Sequence, residues 1–233
     1  MGIKARRYAD ILAGAPEYVT GRQDEWKAFL TTAARNYKYP YYDQLMIYLQ
    51  RPEATACAEY DFWFDTMHRY VKRGAKGIAL VDNEGDSPKL RYVFDVADTG
   101  ARSNSRPVWL WQMKEEYQNP VMAALERAYG VSGENLSLEA QLEQVAGRLA
   151  ADYWMNYGRQ ISGIVADSFL EEYDEFNIGA AFRKAAQASI AYTLSVRCTE
   201  EAENQFEPED FKDVADFNTR QTAAALGTAV SSI

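Results

Sequence analysis

The chain has 233 residues, of which 47% are hydrophobic and 25% charged, with a formal net charge of −9. That balance excludes collagen-like, disulfide-scaffold and intrinsically disordered classes, and at about 150 residues per domain the length suits one or two domains. No run approaches the roughly 18 uncharged apolar residues of a membrane span, and the N-terminal cations Lys4, Arg6 and Arg7 lead into Asp10 and Pro16 rather than an apolar signal segment, so a folded cytosolic protein is expected.

The first predicted helix covers residues 22–38, where Trp26, Phe29, Leu30, Ala33 and Tyr37 recur at i, i+3, i+4, i+7 and i+11, one amphipathic stripe. Pro40 suits the first turn of a second helix running to about Gln50, because proline has no N–H to lose there, and Arg51-Pro52 ends it. Aromatic residues 60–70 predict a short helix, after which Gly74 and Gly77 punctuate a basic turn. The apolar runs Gly77–Asp82 and Leu90–Asp95, separated by a Gly- and Pro-containing hexapeptide, predict a hairpin.

Beyond Trp111 the pattern is helical. Asn119-Pro120 predicts an N-cap followed by proline at the first helical position, with Gly130 closing that helix. Ser137 predicts the cap of a helix burying Leu138, Leu142, Val145, Leu149 and Tyr153 or Trp154. Asn177 predicts another cap, before Ile178, Ala181, Phe182, Ala185 and Ser189, and residues 208–229 predict two short helices or one bent one. The expected fold class is α+β: helices and a small antiparallel sheet in an N-terminal domain, residues 1–112, and an all-helical domain, residues 113–233. The closing Ser-Ser-Ile, with no capping glycine or charged tail, suggests continuation into other domains of a longer parent protein.

Charge divides the same way. Residues 1–110 carry a net +2 and residues 111–233 a net −11. The first part can offer a cationic face, whereas the second repels a phosphate backbone and suits solubility or a protein partner.

Several chemistries have no seat. The single histidine, His68, rules out the paired imidazoles of H-E-x-x-H zinc peptidases, and no G-x-S-x-G elbow or glycine-rich phosphate loop occurs. Cys57 and Cys198 read as buried free thiols. The acidic run Glu171-Glu172-Tyr173-Asp174-Glu175 lacks the alternating carboxylates and glycine turn of a calcium loop, and reads as a solvated face. A metal-dependent nuclease on the scattered carboxylates has no supporting spacing. The expectation is a non-enzymatic protein without catalytic residues, metal or cofactor.

What stands out is the interleaving of cations and rings between Arg35 and Ile78: Arg35, Tyr37, Lys38, Tyr39, Tyr41, Tyr42, Tyr48, Arg51, Trp63, Arg69, Tyr70, Lys72, Arg73 and Lys76. Single-stranded nucleic acid is held by these two kinds of group, cations along the phosphates and ring faces under the bases. The tract from Arg69 to Gly77 has four cations in nine residues and no acid, and its glycine-hinged turn can bring backbone N–H groups to a phosphate. The same composition also fits half-buried core tyrosines and ordinary surface cations.

Two clusters resemble a known family. The run from Asn36 through Tyr39, Gln44, Gln50 and Arg51 to Thr55, then Trp63, then Arg69, Lys72, Gly74, Lys76 and Gly77, resembles the N-terminal single-stranded-DNA-binding domain of the ArdC antirestriction family. The resemblance covers about residues 20–100. It implies an α+β module of a mobile-element protein that coats single-stranded DNA, with those eleven residues, Thr55 apart, at the DNA. Three departures are visible: Asp43 stands where the family pattern has asparagine, His68 where it often has glycine, and the second half lacks the histidines of the family's zincin-like domain. The alternative from another class is an acidic protein-interaction or DNA-mimic module, which requires acids clustered on one exposed surface of residues 134–216.

Overall fold

A computed structural model describes residues 3–82, 87, 89–131, 136–199 and 202–232. The chain opens with α1 (Ile3–Thr20), which buries Leu12, Ala15 and Val19 although it contains Gly14 and Pro16. The predicted first helix is α2 (Gln23–Arg35), and its stripe Trp26, Phe29, Leu30 and Ala33 is buried as expected; it stops before Tyr37, which is exposed. The second is α3 (Tyr41–Gln50), with Pro40 as its N-cap rather than inside the first turn.

An antiparallel three-stranded sheet follows, formed by β1 (Cys57–Glu59), β3 (Ile78–Asp82) and β4 (Lys89–Asp95) in the spatial order β1-β4-β3. Ile78 pairs with Val93 and Cys57 with Asp95. The hairpin strands are as predicted, while most of the loop between them lies outside the described residues. Four consecutive side chains of β3, Ile78 to Val81, are buried, so both faces of this strand are covered; α3 and α1 both pack on it. The aromatic stretch after β1 is a single π-helical turn, Phe62–Thr66, and the residues beyond it form β2 (Tyr70–Val71), which pairs with β5 (Thr99–Gly100). The longer helix predicted across 60–70 is thus shortened. His68 sits between these elements with φ 54, in the left-handed region that glycine occupies without steric cost.

The C-terminal region is helical: α4 (Gln118–Tyr129), α5 (Leu138–Ser162), α6 (Glu175–Cys198), α7 (Ala202–Gln205), a 3-10 segment Pro208–Asp216 and α8 (Arg220–Ser231). Gly130 closes α4 with φ 62, and the Ser137 hydroxyl accepts from the Ala140 N–H at 3.2 Å at the start of α5, both as predicted. Two caps differ. α4 begins one residue before Asn119, and α6 is capped by Asp174, whose carboxylate accepts from the Asn177 N–H at 2.8 Å, so Asn177 lies within the first turn. The ring of Trp154 lies so close to both Gly158 and Gly179 that a side chain at either would collide with it. Two glycines thereby let α5 and α6 pack around one indole.

Buried side chains from both sides of the expected boundary at residues 112 and 113 join in one cluster. Trp26, Phe29, Tyr41, Leu45, Leu80 and Val93 meet Phe182, Ile190, Tyr192, Phe211, Phe217 and Leu226. Polar groups cross it too: the Trp26 indole N–H donates to Ser189 Oγ at 2.9 Å, and the hydroxyls of Thr31 and Tyr192 are 2.7 Å apart. The cysteines are unpaired and half-buried. Among the described residues no helix is long and apolar enough to cross a membrane.

Candidate functional site

An open cleft of about 1290 Å³ separates the α2–α3 loop and β1 from the end of α6. Its base is built from the fold outward. The buried Asp95 carboxylate accepts from the N–H groups of Thr55 at 2.7 Å and Ala56 at 3.0 Å, which fixes the approach to β1. Beside it the Tyr39 hydroxyl donates to the Cys57 carbonyl at 2.8 Å, and the Trp63 indole N–H donates to the Phe94 carbonyl at 2.8 Å. Burial holds the Tyr39 hydroxyl above its ordinary range and pushes the Cys57 thiol up to about 12, so both stay neutral near pH 7.

The rim is different in kind. Arg35, Tyr37 and Lys38 are exposed on one side, and the Arg197 guanidinium of α6 lies 3.8 Å from the centre of the Tyr37 ring. The border continues along a strap without helix or strand, residues 106–113. It is pinned at one end by the Arg106 N–H on the Met67 carbonyl (2.9 Å), and at the other by the Trp111 indole N–H on the Arg197 carbonyl (2.7 Å). Between the pins Trp109 stands 87% exposed, and Trp111, 55% exposed, stacks on Tyr117 with ring centres 5.6 Å apart. Three cations and six aromatic rings therefore border a cleft that has no acid among its described lining residues, in a chain of net charge −9. Glu200 and Glu201, adjacent in sequence to that lining, lie outside the described residues.

The predicted site residues separate into three groups. Asn36, Lys38, Tyr39 and Trp63 line the cleft. Of these only Lys38 is exposed: Asn36 is 4% exposed and its amide donates to the Thr32 and Ala54 carbonyls at 3.0 and 3.1 Å. Gln44, Gln50 and Arg51 are bonded within the fold instead. The Gln44 amide oxygen accepts from the Ser231 hydroxyl at 2.7 Å. Gln50 donates to the Ala79 carbonyl at 2.8 Å and accepts from its N–H at 2.9 Å, bracing α3 against β3 as another strand would. Arg51 is ion-paired with Asp98 and Glu53. Tyr42, on α3, is exposed and packs on Tyr41 with ring centres 5.3 Å apart.

The third group lies around the turn after β2. The Arg69 guanidinium donates to Thr99 Oγ1 at 2.7 Å and the Lys72 ammonium to the Ala97 carbonyl at 2.8 Å, while Arg73 and Lys76 are exposed. Gly74 has φ 86, which the turn requires, and a side chain on Gly77 would press on Phe94 and Tyr92 at 3.1–3.2 Å. Asp43 is buried and paired with Arg91, so its charge is directed to β4 rather than to solvent. Burial raises its carboxyl above the usual range, with Arg91 opposing.

The chain has no significant match among family models, curated proteins or solved structures. The ArdC resemblance accordingly rests on the quoted residues alone. Sequence reasoning missed the strap: Trp109 and Trp111 follow Pro107 in a stretch without periodicity, and the only available signal was two tryptophans in an unstructured, acid-free run. No group of three or more His, Cys, Asp or Glu side chains suited to a metal ion occurs among the described residues.

Proposed function

We propose that the chain binds single-stranded DNA in this cleft without chemical turnover, as the resemblance to the ArdC module implies. The observation that carries the reading is the cleft border, which combines Arg35, Lys38 and Arg197 with Tyr37, Trp109 and Trp111 and has no acid among its described lining residues. Cations there attract phosphates, and exposed ring faces stack bases at about 1–3 kcal/mol each. A duplex presents its bases edge-on and stacked, so the rings discriminate for the single strand. Fluorescence anisotropy with a labelled oligonucleotide, a duplex competitor and a salt series tests the reading. Three cleft cations give a log–log salt slope of about −2, using roughly −0.7 per contact on single strands. Trp109→Ala weakens binding about tenfold at unchanged slope; a variant that binds as the parent does refutes the stacking role.

A second reading is a protein-docking surface for a basic partner. Phe169 and Phe176, 66% and 77% exposed, stand among exposed Asp167, Glu171, Glu172, Asp174 and Glu175. The loop that displays Phe169 is built rather than loose: Leu170 is buried, and the Phe169 N–H donates to the Asn218 amide oxygen at 2.9 Å. Under this reading alone, oligonucleotide affinity is absent at every salt concentration.

A further inference from the structure

We propose that a second stacking surface, formed by Tyr60, Phe64, Tyr70 and Arg102, takes up the part of a single strand that leaves the cleft. The inference rests on the nucleic-acid reading of the cleft and extends it to residues outside that cleft. Tyr60 and Phe64 stack with ring centres 6.0 Å apart and planes 10° from parallel. The Arg102 guanidinium lies 5.1 Å from the centre of Phe64 and 5.8 Å from that of Tyr70, which makes a four-member ladder of rings and cation. All four side chains are exposed. Tyr70 lies across Gly100, its partner on β5, and any side chain at position 100 would collide with the ring.

Three features suit the ladder to a strand of nucleotides. A guanidinium stacked on rings keeps its N–H edges free for phosphate oxygens, and that of Arg102 makes no hydrogen bond or ion pair among the described residues. Arg73 and Lys76 follow Tyr70 on the basic turn, and neither has a described polar partner, so the ladder continues into unengaged positive charge. The exposed acids Asp61, at the N-cap of the π-helical turn, and Asp65, within it, oppose phosphate there, which directs the track to the Arg102 and Tyr70 side.

The two surfaces meet at one element. Phe62 lines the cleft and Phe64, two residues on, belongs to the ladder, while Trp63 between them is buried. The segment carrying Arg102 is tied to the same turn region, with Ser105 Oγ donating to the His68 carbonyl at 2.6 Å and the Arg106 N–H to that of Met67. A strand passing around residues 62–67 therefore goes from one stacking surface to the other on a rigid support.

Anisotropy with labelled oligo-dT from about 4 to about 24 nucleotides tests the proposal. The shortest strands that bind occupy the cleft alone, with a salt slope of about −2. Strands long enough to round the turn bind at least about tenfold more tightly, and their slope steepens to about −4 as Arg73, Lys76 and Arg102 add three contacts at roughly 0.7 each. In F64S/R102Q the gain in affinity with length is lost, and in R102Q alone, the milder variant, it is reduced and the long-strand slope falls by about 0.7, while short strands bind unchanged. Length dependence in both variants equal to that of the parent overturns the second surface and leaves the cleft reading standing. Absence of binding by the parent at every length overturns both.

Discussion

The two clusters that carry the family likeness use similar polar residues for opposite ends. In the first, Asn36, Gln44 and Gln50 turn inward and spend their amides on backbone carbonyls, an N–H and a serine hydroxyl. In the second, Arg69 and Lys72 are also bonded, to Thr99 Oγ1 and the Ala97 carbonyl, but Lys76, with Arg73 beside the motif, stands in solvent on a turn whose shape is set by Gly74 at φ 86. Burial thus separates the motif residues that hold the loop in place from those open to a ligand. Stability and binding should accordingly respond to different halves of the same motif.

The largest expected effect falls on the inward cluster. Asn36→Ala removes two donors to carbonyls and leaves the Ala54 carbonyl unsatisfied, which costs about 2–3 kcal/mol of unfolding free energy by urea titration. An unchanged midpoint would break the contrast at its first term. Next comes the pair beneath α3. Arg91→Met strands the Asp43 carboxylate in its buried site and costs about 2 kcal/mol at pH 7, discounted because Arg91 is itself partly exposed. The sign with pH follows from burial: Asp43 already titrates above its unfolded value, losing Arg91 moves it further up, and protonation relieves the penalty. The deficit relative to the parent therefore shrinks between pH 7 and pH 4.5, and a deficit that grows on acidification excludes this account. The smallest effect on stability belongs to the outward cluster. Changing Arg73 and Lys76 together to alanine shifts the unfolding free energy by less than about 0.5 kcal/mol while weakening the binding of long oligonucleotides and flattening its salt slope.

Where side-chain periodicity governs, the fold was legible: the stripe of α2, the hairpin of β3 and β4 and the Ser137 cap all follow from local pattern. α1 was not, because Gly14 and Pro16 read as breakers, yet Leu12, Ala15 and Val19 bury enough surface in the shared core to hold the helix through them. Asp174 rather than Asn177 caps α6 because either residue can cap, and the choice is made by where Leu170 and Ile178 are buried. The cleft was half legible. Lys38 and Tyr39 lie in it as part of the interleaved tract, but Arg197 reaches Tyr37 from 160 residues away, a proximity created only when α6 packs on α2. The acidity of the second half gave no hint that it would contribute a cation to the same border.

β1 is an outer strand only three residues long, and while its Ala56 side faces inward, with the carbonyl accepting from the Val96 N–H, the next carbonyl, that of Cys57, is already taken by the Tyr39 hydroxyl. An exposed strand margin with open carbonyls is a template for recruiting further chains into cross-strand assemblies. Here a phenol occupies one of the outward acceptors, so Tyr39 removes a point at which another strand could add to β1.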